Sequence, residues 1–562
     1  MNVFSLSWAA AGLALLGLSL FPAGSLALGG APAHLAVFLL LLALAALALR
    51  LLRREGLDRP RLLDALLPIG LAFFLRALLL DYQSADYQMF LSQWAAAFRD
   101  GGGFAAVKLP IGNYNAPYLY FLAAISYLPI PDLYLIKLFS ILFDVVLAWG
   151  GFRLVRHFAP ERPNRPLLCF CLLLLLPTVI LNGAFWGQCD ALYGALTLHA
   201  LACALEGRNR SSLLLLGIAF SFKLQTVFVL PLWGGLWLLR RVRFRELLWF
   251  PAAYAATCVP ALLLGKPLGD ILGVYFGQAA EYSGYLNLNA PNMYALIPHG
   301  AEVNTALAAR LGILAAFALA AAVLAALLVF RRQADDRALL AAAVVLAIGV
   351  PFLLPHMHER YFFLADVLAL AWTCAFPRSA PCALLVELAS LGAYVVVLRG
   401  KFTLAVSLDG RLFPMLCEAL LMLAGLAFAV LSLARRLAFP QKSREQQPVP
   451  YHLACRYKFP VKSAGKQLTS WKQCVTIWLQ FLRIVTILKG GQNGSSEYSP
   501  DLQGPPPPPE GQPDLLRQHG PEIYHHAPDS LPEEGSGSGR GDQGFRSASA
   551  HRPGSEEPGP GG

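Results

Sequence analysis

The chain has 562 residues, of which 56% are hydrophobic and 14% charged, and its formal net charge at pH 7 is +11. This composition excludes an ordinary soluble enzyme and predicts a polytopic membrane protein. The basic residues cluster in short loops between apolar runs, which favours a cytoplasmic-side bias over binding of nucleic acid. The ten cysteines show no CxxC or zinc spacing, so we interpret them as small core residues.

Apolar runs recur along the first 439 residues, and several are near or above the roughly 20 residues that a helix needs to cross a bilayer. The long runs are at 3–28, 31–50, 62–80, 133–152, 188–206, 246–264, 308–330 and 412–434. Shorter candidates are at 167–181, 338–354, 361–376 and 382–398. Together they predict an all-α, polytopic integral membrane protein with about 12–14 membrane helices.

Two stretches do not fit a simple span. Residues 211–239 are apolar but are interrupted by Lys223, which predicts two short helices that meet at a polar turn. Residues 116–130 are short and bounded by Pro117 and Pro129, so a re-entrant, an interfacial and a crossing segment all stay open as alternatives.

Loops rich in Lys and Arg set the orientation, because such loops stay on the cytoplasmic side. This rule places four polar segments and the break at Lys223 on the opposite side of the membrane. The segments are 81–115, 182–190, 265–305 and 355–361. The basic loop at 399–411 then faces outward, against the rule.

We therefore predict a membrane domain at 1–439, with its first outer loop at 81–132, and a separate tail. In the outer loop Phe90, Trp94 and Phe98 recur at four-residue spacing, which predicts an amphipathic helix on the membrane surface. The tail at 440–562 is rich in Pro, Gly and Ser and is predicted to be disordered on the cytoplasmic side.

Asp86 is the first candidate catalytic residue. It follows an apolar run at the point where a membrane segment meets water, and an ionisable group at such a depth is a functional candidate. A carboxylate there can take a proton from an acceptor hydroxyl as a general base. The alternative is a helix cap or an ion-pair partner, and we expect Asp81 to have that structural role by capping the helix that carries Asp86.

Two further residues and two polar segments are predicted to lie on the same face. Lys223 needs an anion if it lies within the membrane, and snorkelling to the interface is the alternative. Asp190 opens an apolar run, as a helix cap or as a second carboxylate of the site. The segments around Tyr114–Asn115 and 285–294 are dense in Tyr and Asn, which suits sugar hydroxyls and is equally typical of an aromatic belt or a turn.

The most specific motif is Pro355-His-Met-His-Glu-Arg-Tyr361. Pro355 suits the first turn of a helix, which would place His356 and Arg360 on one face at i and i+4. They would then add to the positive end of the helix dipole and form a phosphate site, with Glu359 pointing elsewhere. A zinc site is disfavoured because these residues have poor ligand geometry at a helix start.

These groups fit glycosyl transfer from a lipid-linked sugar phosphate. The leaving phosphate would be held by Arg360, His356 and Lys223, and Asp86 would activate the acceptor hydroxyl. We expect the acid and the cations to lie about one sugar phosphate apart in a single outward-facing cleft.

An ordered set of motifs resembles the bacterial GT-C membrane glycosyltransferases related to the GPI mannosyltransferase II family. The motifs are Ser84-Ala-Asp86-Tyr-Gln-Met-Phe-Leu, Asn115-Ala-Pro-Tyr-Leu-Tyr, Phe185-Trp-Gly-Gln-Cys-Asp190, Ser221-Phe-Lys-Leu-Gln and His356-Met-His-Glu-Arg-Tyr. The resemblance covers roughly residues 62–380. It implies a GT-C fold, a polyprenyl-phosphate-sugar donor, inverting displacement and no need for a metal or other cofactor.

The resemblance also implies site residues. Asp86 matches the acidic base of the first outer loop, and His358 joins Arg360, His356 and Lys223 at the donor phosphate. The predicted substrate contacts are Asp190, Gln188, Tyr87, Tyr114, Asn115, Asn289, Asn292 and Tyr294. Mannose is expected as the sugar, on the family likeness alone.

The expected partners are a polyprenyl-phosphate-linked sugar and a glycan or lipid acceptor, with the chain in the inner (plasma) membrane and no nucleic acid bound. One alternative is a transporter or flippase of polyprenyl-linked saccharides, which would bind phosphate without needing Asp86 as a base. Absence of a clear internal repeat weighs mildly against it. A polysaccharide polymerase with a lipid-diphosphate donor is the third hypothesis.

Overall fold

The computed structural model describes residues 3–281, 284–298, 301–399, 407–408 and 411–439. The predicted disordered tail at 440–562 lies outside the described residues.

Helices make up nearly all of the described chain. The first ten α-helices are α1 (Val3–Leu18), α2 (Leu20–Gly24), α3 (Ala31–Arg54), α4 (Arg59–Leu79), α5 (Ser92–Asp100), α6 (Ala116–Ile125), α7 (Asp132–Phe158), α8 (Asn164–Leu175), α9 (Pro177–Ile180) and α10 (Asp190–Leu205). The remaining ones are α11 (Asn209–Phe222), α12 (Pro231–Leu238), α13 (Phe244–Leu247), α14 (Trp249–Leu263), α15 (Leu268–Glu281), α16 (Thr305–Val329), α17 (Asp336–Leu353), α18 (Phe363–Ala375), α19 (Ala380–Arg399) and α20 (Phe413–Ala438).

Short helical turns of other types connect them. Two π-helical turns occur, at Tyr87–Leu91 and Leu181–Trp186. The 3-10 turns are Gly103–Lys108, Leu224–Phe228, Met293–Leu296, Glu359–Phe362 and Pro377–Ser379.

The all-α polytopic prediction is confirmed. In the described part of the chain, nine helices are long and apolar enough to cross a membrane: Phe4–Gly24, Ala31–Arg54, Arg59–Leu79, Asp132–Phe158, Phe244–Leu263, Thr305–Val329, Asp336–Leu353, Pro377–Arg399 and Phe413–Ala438. A pair bent by 47° at Leu176 makes a tenth. Two shorter apolar helices, Asp190–Leu205 and Leu224–Leu238, bring the total into the predicted range if both cross. A third, Ala116–Ile125, has 10 residues, about half of what a span needs.

The break at Lys223 occurs as the sequence predicts. α11 ends at Phe222, Lys223 has an extended backbone, and a 3-10 turn leads on to α12. The chain therefore interrupts an apolar stretch to bring one lysine to a polar site.

Two strand pairs, each of two residues per strand, are the sheet structure among the described residues. β1 (Asn287–Leu288) pairs in parallel with β2 (Met357–His358), and β3 (Ser407–Leu408) pairs with β4 (Arg411–Leu412) in antiparallel fashion. The first pair fastens the outer loop before α16 to the segment that leads into α18, beside Arg360.

Helix α7 lies at the centre of the fold. It packs against α3, α8, α10 and α18, and most of its residues are buried. Beside it, α4 approaches α1 very closely, because a Cβ on Gly12 or Gly70 would meet the facing backbone at 2.2–2.3 Å. Small residues are a common way for membrane helices to pack so closely.

Candidate active site

The loop after α4 carries Asp86 at one end of the helices. Ser84 caps the short helix that follows: its Oγ accepts from the Tyr87 amide at 3.2 Å and donates to the Trp186 carbonyl at 2.7 Å. Asp81 does not cap this helix, which corrects the prediction. Its carboxylate accepts instead from the Ala27 amide and the Tyr134 hydroxyl, so its role is still structural.

A second loop meets Asp86 from the other side. The turn at Leu181–Trp186 ends at Gly187, whose φ of +84° is a left-handed conformation that glycine adopts without strain. This turn aims two N–H groups at Asp86 Oδ2: Trp186 Nε1 at 3.0 Å and Gln188 Nε2 at 2.5 Å. Both bonds go to the same oxygen, and the side chain stays 26% exposed.

Arg360 lies next to this carboxylate. Its Nη1 is 3.8 Å from Asp86 Oδ2 and 3.1 Å from Glu359 Oε1, and its guanidinium lies 5.5 Å from the centre of the Trp186 ring. Arg360 Nε is 4.0 Å from Asp190 Oδ2, and it is buried without a hydrogen-bond partner among the described residues. One N–H of the guanidinium is thus unused.

Asp190 and Lys223 form a tight, buried ion pair with a separation of 2.5 Å. Asp190 Oδ2 also accepts from Asn182 Nδ2 at 2.7 Å, and the same amide nitrogen donates to the Tyr394 hydroxyl at 3.1 Å. The N-cap of α10 is Cys189, and Asp190 is the first residue of the helix. Asp190 therefore belongs to the polar cluster and does not act as a helix cap. Asp190 is the anion that Lys223 requires, and the buried lysine side chain does not extend to the membrane interface.

Tyr114 closes the cluster. Its hydroxyl donates to Gln188 Oε1 at 3.3 Å, and Lys223 Nζ lies 5.6 Å from the centre of its ring. Burial raises the pKa of Tyr114 well above its usual value, so the phenol keeps its proton and serves as a donor.

The helix predicted to start at Pro355 is wrong. Residues 357–358 form β2, and the 3-10 turn begins only at Glu359. The amide of His356 donates to the Leu286 carbonyl, its ring contacts the Tyr285 carbonyl, and its φ is +60°. His356 and Arg360 therefore do not share a helix face, because strand pairing extends the chain between them.

Glu359 does not point away from the cluster either, since it accepts a hydrogen bond from Arg360. Burial by itself raises the pKa of this carboxyl, but the neighbouring His358 and Arg360 outweigh it and hold the pKa below the usual range. His358 is buried, with Nδ1 3.8 Å from Glu359 Oε2.

Several predicted substrate contacts have structural partners. Asn115 caps α6 and donates to the Tyr254 hydroxyl at 3.2 Å, while Tyr87 donates to Asp132 at 3.3 Å. Asn292 and Tyr294 are buried within the outer loop, where Asn292 accepts from the Tyr294 amide. Their roles as sugar ligands stay predictions.

Asn289 lies beside His358 through an isolated bridge, with φ of +57°. Its predicted contact with the sugar also stays a prediction. The acid and the cation do meet, but the 3.8 Å between Arg360 Nη1 and Asp86 Oδ2 is shorter than the expected length of a sugar phosphate. A donor must therefore bind beside Arg360, or separate it from Asp86.

Sequence reasoning missed three members of the cluster. Trp186 and Asn182 were within a segment assigned to the outer face, but neither was chosen, because an indole and an amide carry no charge that a membrane makes costly. Tyr394 lies in an apolar run, and the residue pattern around it does not indicate that its hydroxyl contacts a polar group.

Comparison with protein-family models also indicates a glycosyltransferase. The model of glycosyltransferase family 87 matches residues 113–355, which is less than half of the chain. This match indicates glycosyltransferase activity in a membrane protein. It includes Gln188, Asp190 and Lys223, starts after Asp86 and ends just before His356. No curated protein matches the chain.

Proposed function

We propose that this protein transfers a hexose, with mannose as the expected sugar, from a polyprenyl-phosphate-sugar donor to an acceptor hydroxyl on the non-cytoplasmic face. The proposal includes a GT-C fold, a relationship to the GPI mannosyltransferase II family and a location in the plasma membrane. Single displacement with inversion is the expected course.

In this reaction the acceptor hydroxyl gives its proton to Asp86 while its oxygen bonds to the anomeric carbon. The bond from that carbon to the phosphate oxygen breaks, and its electron pair leaves with the polyprenyl phosphate. Arg360 stabilises the added charge on the phosphate through charge-assisted hydrogen bonds.

The observation that carries the proposal is the Asp86–Arg360 distance of 3.8 Å. It exceeds a hydrogen bond, so Asp86 and Arg360 are not bonded to each other, yet they lie side by side and both are partly exposed. Trp186 and Gln188 both donate to Oδ2, which orients the carboxylate and leaves Oδ1 for the acceptor proton.

The buried Asp190–Lys223 pair lies next to Arg360, whose Nε is 4.0 Å from Asp190 Oδ2. Since Asp190 already takes one N–H of Lys223, the lysine reaches a donor phosphate only with its remaining N–H groups. We therefore assign the main phosphate contact to Arg360, whose side chain is 15% exposed and has no hydrogen bond to Asp86.

The test is Asp86→Asn in membranes supplied with a labelled polyprenyl-phosphate mannose and a membrane-derived acceptor. Loss of the base should lower transfer by about 10²–10⁴-fold while donor binding is retained. Asp100→Asn, at an exposed carboxylate that ends α5, is the matched control and should transfer normally.

Full transfer by Asp86→Asn would remove this residue from the mechanism. If the wild-type protein binds and moves the labelled lipid across the membrane without forming a glycosidic product, the chain is a carrier and the enzymatic proposal fails.

A further inference from the structure

Lys137 is a completely buried lysine in the middle of the fold. It lies on α7, and its Nζ donates to three backbone carbonyls: Leu79 at 3.0 Å, Leu80 at 2.8 Å and Tyr82 at 2.6 Å. An ammonium group has three N–H donors and no acceptor, so these three bonds satisfy it fully.

The three carbonyls mark the end of α4 and the start of the Asp86 loop. The last carbonyls of a helix have no partner within it and carry partial negative charge. A buried cation is costly in a membrane unless it meets such a charge. Lys137 therefore ends α4 and fixes the position where the chain turns toward Ser84 and Asp86.

Neighbouring residues on the same face of α7 hold both loops of the site. One turn before Lys137, Tyr134 donates to Asp81 at 2.8 Å. One turn after it, Ser140 donates to the Gln188 carbonyl at 2.7 Å. The stem of Lys137 also borders the second loop, because a Cβ on Gly187 would lie 4.0 Å from its Cγ.

From these contacts we infer that Lys137 is a positioning residue of the transfer reaction: it sets the place of Asp86 relative to Trp186 and Gln188. The inference rests on the proposed function, in which Asp86 is the base. Lys137 itself touches no substrate, because it is buried and all three of its donors are taken.

The first test measures kcat and donor affinity for Lys137→Met. Misplacing a catalytic group by about 1 Å can cost on the order of 10²-fold in rate, so kcat should fall by about this factor while donor affinity changes little. Lys266→Met is the matched control, since Lys266 is also buried and donates to a carbonyl, that of Leu109. It should leave kcat unchanged.

The second test repeats Lys137→Met in an Asp86→Asn background. A positioning effect disappears once the group that it positions is gone, so the double variant should be no slower than Asp86→Asn. If the two losses multiply, Lys137 acts on general stability and the inference is overturned.

Hydrogen exchange provides a measurement that does not depend on activity. Lys137→Met should speed exchange of the amides at 81–88, and Lys266→Met should not. Ser140→Ala is a milder variant in case Lys137→Met does not fold, and it should lower kcat several-fold and speed exchange around Gln188.

The outcomes separate the two proposals. A fully active Asp86→Asn contradicts the proposed function and removes this role for Lys137 with it. If Asp86→Asn is inactive but neither Lys137→Met nor Ser140→Ala changes kcat or exchange, the inference on Lys137 alone is wrong.

Discussion

Two arginine–aspartate pairs of this protein have contrasting surroundings. Arg76 and Asp144 lie on α4 and α7, are 1% and 0% exposed, and are joined by two hydrogen bonds of 2.8 and 3.0 Å. Arg360 and Asp86 are 15% and 26% exposed and lie 3.8 Å apart, beyond hydrogen-bond distance. The same two residue types thus form a closed pair within the helices and an open pair at their outer end.

Geometry and water access, more than residue type, therefore distinguish this structural pair from the pair that we propose to be functional. In the buried pair, Arg76 also donates to the Leu174 carbonyl at 2.7 Å, so its charge is matched by protein groups alone. In the open pair, Asp86 Oδ1 is left for other groups on a side chain that is 26% exposed, whereas Asp144 Oδ1 also has no partner but is sealed from water. Such unsatisfied potential near water is what a substrate site requires.

The comparison predicts its largest stability effect at the buried pair. Arg76→Met leaves Asp144 without a cation at membrane depth and should destabilise the protein by roughly 3 kcal/mol. Thermal unfolding in detergent measures this loss. The double variant Arg76→Met/Asp144→Leu should recover most of it, since no lone charge remains.

The specific activity of the folded double variant should match that of the wild type. If the double variant unfolds at the wild-type temperature but its kcat is much lower, the buried pair takes part in the reaction. The two pairs would then not differ in function.

At the open pair the main effect should be on the donor. Arg360→Ala should weaken donor binding and lower transfer by about 10²-fold, because it removes the proposed main contact to the phosphate. Arg360→Lys should be intermediate, since an ammonium lacks the planar fork of a guanidinium. Binding of labelled donor and the KM of the acceptor are the measurements.

Arg99→Ala, at an exposed arginine near the end of α5, is the control for loss of positive charge on the outer face. Equal weakening of donor and acceptor by Arg360→Ala would argue against a phosphate clamp.

Much of the scaffold could be predicted because hydrophobicity and charge act locally in a bilayer. The long apolar runs became helices, and the interruption at Lys223 became a break between α11 and α12. Asp86, Gln188, Asp190, Lys223 and Arg360 stood out as polar groups on one face, and the structure places them in one cluster.

The structural features that the sequence did not predict depend on contacts between distant segments. Pro355 favours a helix start locally, but pairing with residues 287–288 holds Met357 and His358 extended instead. Lys137 lies in a predicted span and was not chosen, since its partners are carbonyls that any sequence supplies. Backbone partners of this kind leave no trace in the residue pattern.

The smallest predicted effect concerns Glu359, which holds Arg360 at the open pair. Its folded-state pKa lies below the usual 4.5, so its stabilising contribution is present above about pH 4.5 and is lost as the pH falls through the folded value. Glu359→Gln should therefore cost about 1 kcal/mol near neutral pH, and the difference from wild type should close in acid. Thermal unfolding of both proteins between pH 7 and pH 3 measures it. If the stability difference between the two proteins instead grows as the pH falls, His358 and Arg360 do not keep Glu359 ionised. Glu359 would then not hold Arg360 in place at the open pair.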